Sequence, residues 1–132
     1  MPSEKYCEEI MQIERRQKRS EDLCQALGHQ LDCSAMRANF SSLVLAEELG
    51  LVVAGAGDGE ELEEIAALTP LLAGQSRYWQ GRVETSAGIK LVTVVKVDTA
   101  LGQFYLSGVE GKLSAIWSEL RQGSQGVARI VS

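Results

Sequence analysis

Apolar residues recur along this chain with a helical period at its two ends and near its middle, and with the pattern of strands in between. From the start, Tyr6, Ile10, Ile13, Gln17, Ser20, Cys24, Leu27 and Leu31 follow one another at spacings of four and three, which is one stripe of a helix. The stripe turns polar at Gln17 and Ser20, beside the charged run Glu14-Arg15-Arg16-Gln17-Lys18-Arg19. Ser20 ahead of Glu21 and Asp22 has the form of an N-cap with acidic residues in the first turn. Two readings fit: one long helix, or a short leading helix followed by a second over about 21–31.

Residues 42–46 (Ser-Leu-Val-Leu-Ala) and 51–55 (Leu-Val-Val-Ala-Gly) are apolar runs of strand length. Glu47-Glu48-Leu49-Gly50 joins them as a hairpin turn, with Gly50 free to take positive φ. Gly55-Ala56-Gly57-Asp58-Gly59 interrupts the pattern before a helix over 58–73, with Asp58 as N-cap. The glycines lack the Gly-Lys-Ser/Thr of a phosphate loop, and Glu60, Glu61, Glu63 and Glu64 would repel an anion at that helix end. They read as a tight turn. In the helix, Leu62, Ile65, Ala66, Thr69, Leu72 and Ala73 form the core stripe, and Leu68 and Leu71 widen it onto an adjacent face. Pro70 removes a backbone donor in its last part.

Three strands come next. Residues 77–85 are polar at alternate positions and open on Tyr78 and Trp79, residues 89–97 are apolar on both faces, and 103–109 follow the turn at 98–102. Leu113, Ile116, Trp117 and Leu120 then mark a final helix at i, i+3, i+4 and i+7, and Val127, Ile130 and Val131 a second helical piece beyond Gly123 and Gly126. Helix, two strands, helix, three strands, helix is the order of an α+β protein. It predicts a three-layer α/β/α sandwich around a five-stranded antiparallel sheet.

Composition narrows the function more than the fold. With 132 residues the chain is one domain's worth, and no apolar run approaches the roughly 20 residues that span a bilayer. Residues 1–9 have neither the basic head nor the apolar stretch of a signal peptide, so a cytoplasmic location is expected, with no membrane partner. A net charge of −5 argues against nucleic acid as partner. The charge is uneven: residues 38–76 hold seven carboxylates and no Lys or Arg, whereas 77–132 hold seven basic side chains against four acidic ones.

Candidate chemistry is sparse. Cys7, Cys24 and Cys33 are odd in number and contain no C-x-x-C pair. Cys24 and His29 stand about 140° apart around a helix, too far to share one ion. No metal, no cofactor and no catalytic residue is expected. His29, the single histidine, reads as a helix-end residue interacting with the dipole, with neither nucleophile nor orienting partner in view.

Residues 43–54, Leu-Val-Leu-Ala-Glu-Glu-Leu-Gly-Leu-Val-Val-Ala, resemble the opening hairpin of roadblock/dynein-light-chain domains, and Gly126-Val127-Ala128-Arg129-Ile130-Val131 is similar to the closing helix of bacterial members. The resemblance covers about 41–131 and, more weakly, the helix from 21. It implies a roadblock, profilin-like domain over 20–132, preceded by an extra helical extension over 1–19. It also implies a non-enzymatic regulator or scaffold of a small Ras-like GTPase, gliding-motility type included, that dimerises through its second helix and third strand.

The residues agree with a homodimer. Strand 77–85 left as an open edge would expose backbone groups and aromatic surface, and Leu68 and Leu71 exceed what one core stripe requires. Leu68, Leu71, Tyr78, Trp79 and Val83 are therefore the expected interface. The alternative is a small-molecule or redox sensor of profilin-like fold, which a sizeable closed pocket would favour.

Overall fold

The computed structural model describes the backbone from Ser3 to Ser132 and the side chains of Arg19 and of residues 21–132; the side chains of Tyr6, Cys7, Ile10, Ile13, Gln17 and Ser20 lie outside that range. Eight elements follow in order: α1 (Ser3–Ala38), β1 (Phe40–Glu47), β2 (Val52–Ala56), α2 (Gly59–Ala73), β3 (Tyr78–Thr85), β4 (Gly88–Thr99), β5 (Gly102–Glu110) and α3 (Ile116–Val131). The strands form one sheet in the order β2-β1-β5-β4-β3, antiparallel at every pairing. The first hairpin thus docks beside the last strand, and β2 and β3 become the two edges.

Two cores sit on the two faces of the sheet. On one, Leu43, Leu45, Val95, Val97 and Leu106 pack under α1 and α3; on the other, Val44, Ala46, Val92, Val94, Tyr105 and Val109 pack under α2. The alternation in β4 that marked it as a two-sided central strand is what supplies both layers. Where α2 crosses the sheet, Thr69 hydrogen-bonds back to the Ile65 carbonyl at 2.7 Å and meets the Ser107 hydroxyl at 3.0 Å, which satisfies two buried hydroxyls.

Three expectations need correction. Of the two readings for the first segment, the single helix holds, and α1 runs past Leu31 to Ala38. Leu27, Leu31, Ser34 and Ala38 are all buried on one stripe, and the polar Ser34 hides this continuation because it is satisfied locally by Gln30 Nε2 at 3.3 Å. Asn39 at φ 56° ends the helix in the left-handed region that Asn tolerates. His29 consequently lies mid-helix, remote from the terminal carbonyls, and has no dipole role.

The last helix differs as well. Leu113 precedes it and is 77% exposed, so the true inner stripe is Ile116, Leu120, Val127 and Val131. Gly123 and Gly126 do not split it. Both are buried against α1, where a Cβ would stand 3.4 Å from Ser34 Oγ at one position and 2.6 Å from Gln30 Cδ at the other. The glycines serve close helix–helix approach, not chain breaking.

Candidate interaction surface

Helix α2 begins as the sequence requires. Asp58 accepts a hydrogen bond from the Glu61 N–H at 3.3 Å, and Glu60 and Glu61 occupy the positive end of the helix dipole. The preceding glycines have packing reasons: a Cβ on Gly55 would strike Leu62 Cδ1 at 2.6 Å, and Gly57, at φ 126°, lies over Ser42. Glu61 and Glu64 turn inward to the β3–β4 hairpin. Glu61 reaches Lys90 Nζ at 3.5 Å, and Glu64 accepts from both the backbone N–H and the hydroxyl of Ser86. These two hydrogen bonds hold the Glu64 carboxyl below the usual glutamate range.

Leu62, Ile65, Ala66, Thr69 and Ala73 face the sheet, and Leu68 and Leu72 are half-buried at the border of that core. Leu68 therefore belongs partly to the monomer. Leu71 does not; it is 81% exposed, on the outer side of the helix with Ala67. Pro70 leaves the Ala66 carbonyl without its i+4 donor, and the β1–β2 turn fits against this point. Gly50, at φ 86°, lies so close that a Cβ would stand 3.1 Å from the Ala66 oxygen. Leu49 and Leu51, flanking Gly50, are both exposed and extend the apolar surface of α2. Sequence reasoning missed them, because it placed Leu51 inside a strand and Leu49 in a turn.

Strand β3 borders this surface and ends the sheet. Its alternation separates the two aromatic residues that stand together in sequence. Trp79 faces α2 and is half-buried, with its indole over Gly81, where a Cβ would come within 2.8 Å of the ring. Val83 is in the same core. Tyr78 points to the other face and meets Trp117 of α3 edge-on, with centroids 6.1 Å apart. Of the five expected interface residues, Leu71 and Tyr78 are exposed, Leu68 and Trp79 half-buried, and Val83 buried.

The thiols of Cys24 and Cys33 and the imidazole lie elsewhere. Cys33 Sγ approaches His29 Nε2 at 3.7 Å on the outer side of α1, Cys24 is exposed, and among the described residues no three ligand-type side chains gather. None of the described helices is long and apolar enough to cross a membrane.

Neither a protein-family model nor a curated protein matches the chain. Solved structures do. MglB of Myxococcus xanthus superposes with a TM-score of 0.55 at 15% identity, over 80% of this chain and 87% of its own. The gliding protein MglB of Thermus thermophilus gives 0.60 at 17% identity, over 83% and 90%. An MglB with a tetrameric arrangement gives 0.61 at 16% identity, again over 83% and 90%. The chain has the roadblock-like fold of these proteins.

Proposed function

We propose that this protein is a non-enzymatic, dimeric regulator or scaffold that binds a small Ras-like GTPase in the cytoplasm. The observation that carries the reading is the pairing of an open sheet edge at β3 with an exposed leucine, Leu71, on the adjoining helix. An unpaired edge and a solvated leucine together are a liability in a lone monomer. A two-fold axis beside β3 joins the two edges and sets the α2 helices side by side.

In this dimer Leu71 is the principal anchor and Leu68 its half-buried neighbour. Trp79 and Val83 stiffen β3 from within the monomer core, so the strand contributes through its backbone, with Tyr78 at its end. The GTPase then docks on the paired helices, where Leu49 and Leu51 enlarge the apolar area. The fold shared with MglB structures and the roadblock-like hairpin at 43–54 support this partner class. On this reading residues 1–19 are a helical extension to the domain at 20–132, whose own stretch of α1 joins the core through Leu23, Leu27 and Leu31.

The test is titration of the protein into each small Ras-like GTPase of its source organism, loaded with GDP or a non-hydrolysable GTP analogue, followed by calorimetry. A saturable complex that Leu71→Glu abolishes supports the reading. Failure of every such GTPase to bind in either state refutes it.

A further inference from the structure

We infer that His29, Cys33 and Met36 on the outer face of α1 form a binding site for one soft monovalent cation of the Cu(I) class. The three residues stand at i, i+4 and i+7, within about 60° of arc around the helix. They lie opposite the stripe of Leu27, Leu31, Ser34 and Ala38 that packs inward, and none of them belongs to either core. Cys33 Sγ stands 3.7 Å from His29 Nε2. Metal bonds of about 2.3 Å to sulfur and about 2.1 Å to nitrogen, opened at about 115°, place two donor atoms about 3.7 Å apart. The pair therefore has the bite of a chelate before any ion arrives. Paired ligands at i and i+4 of a helix are spaced for this purpose.

Two features select the ion. The first is the third donor. Among the described residues no three thiols, imidazoles or carboxylates gather, so the ligand set of a structural zinc is incomplete here. Met36 completes a different set. It is 83% exposed and free to lean back, as helical side chains do, over the turn that holds Cys33. Thiolate and thioether together favour Cu(I) over harder divalent ions. The second feature is charge. No Lys or Arg occurs from 20 to 36, whereas Glu21, Asp22 and Asp32 do, so this stretch of helix favours a cation. On binding, the Cys33 thiol releases its proton to solvent and the sulfur lone pair takes the ion, which replaces the contact with His29 by a shared metal. Helices α1 and α2 cover opposite faces of the sheet, so this site stands independently of the dimer proposed above.

The probe is Cu(I) itself, supplied without oxygen as its coloured bicinchoninate complex to the reduced full-length protein; loss of the colour reports transfer. A parallel titration offers Zn2+ against a zinc indicator. One equivalent of Cu(I) per chain is expected. Cys7→Ser combined with Cys24→Ser removes the other two thiols and should leave that equivalent in place. Cys33→Ser should abolish it. His29→Asn and Met36→Leu, with circular dichroism unchanged, should each weaken it by at least the roughly tenfold that losing even an outer-shell partner costs a metal site. The Met36 methyl resonance should shift on loading, which a thiol acting alone would not cause. Leu71→Glu should bind as the wild type does, which separates this site from the dimer surface. No transfer, transfer that survives Cys33→Ser, an unchanged affinity in Met36→Leu, or Zn2+ held as tightly as Cu(I) would each overturn the proposal.

Discussion

The carboxylate of Glu64 on α2 takes two hydrogen bonds from one residue of the β3–β4 turn, the Ser86 N–H at 2.8 Å and the Ser86 hydroxyl at 2.6 Å. This contact fixes the hairpin that carries the open edge to the helix that carries Leu71, so edge and leucine keep one spacing.

The contact is also pH-dependent. Hydrogen bonding to Ser86 lowers the Glu64 pKa in the folded protein. A depressed carboxyl contributes its stabilisation above the unfolded value, about 4.3 for glutamate, and loses it as pH falls through the lower folded value. Amide exchange at Ser86 should therefore be slow near neutrality and speed up beyond the intrinsic trend in that acidic window. Glu64→Gln should remove this extra pH dependence; an unchanged exchange profile in the variant would count against the contact.

Glycines give a sharp contrast in stability. A Cβ on Gly108 would fall 2.5 Å from the ring of the buried Phe40, whereas nothing lies within 4 Å of one on Gly59. Gly108→Ala is expected to destabilise by about 1–3 kcal/mol through overpacking. Gly59→Ala, at the first position of α2, is expected to be neutral or stabilising by up to about 1 kcal/mol. Urea denaturation of the two variants checks both values.

The junction of α1 and α3 rests on an ion pair of unequal burial. Arg37 Nη1 donates to Glu119 Oε1 at 3.1 Å, with the arginine half exposed and the glutamate side chain 8% exposed. Arg37→Met strands a buried carboxylate and should cost about 1–2 kcal/mol, discounted for the solvent at Arg37. Adding Glu119→Leu should recover most of that loss, because a packed apolar pair replaces the ion pair. A double variant less stable than Arg37→Met alone would contradict the assignment.

These contacts show where sequence patterns stop being informative. The five strands are legible because their alternation or two-sided apolarity is a local property, and the Asp58 cap is legible for the same reason. The end of α1 is not, since Ser34 is buried by tertiary packing and satisfied by Gln30. Gly123 and Gly126 look like breaks until α1 is seen lying against them. At the interaction surface, Leu71 is readable as surplus to one stripe. The splitting of Tyr78 from Trp79 follows from strand alternation, but the partner of each ring comes from a distant element. Leu49 and Leu51 join the surface only because Gly50 brings their turn against α2.

The central claim is the two-fold dimer through α2 and β3, and Leu71→Glu tests it most directly. The substitution leaves Leu62, Ile65, Ala66 and Thr69 in place, so the monomer core is intact. It withdraws the exposed leucine and sets like charges against each other across the axis, at a loss of about 1.5–3 kcal/mol per subunit from burial alone. Light scattering on eluting wild-type protein at tens of micromolar should give the mass of a dimer. The Leu71→Glu variant, with an unchanged circular dichroism spectrum, should give the mass of a monomer. A monomeric wild type, or a variant that remains dimeric, would contradict the account.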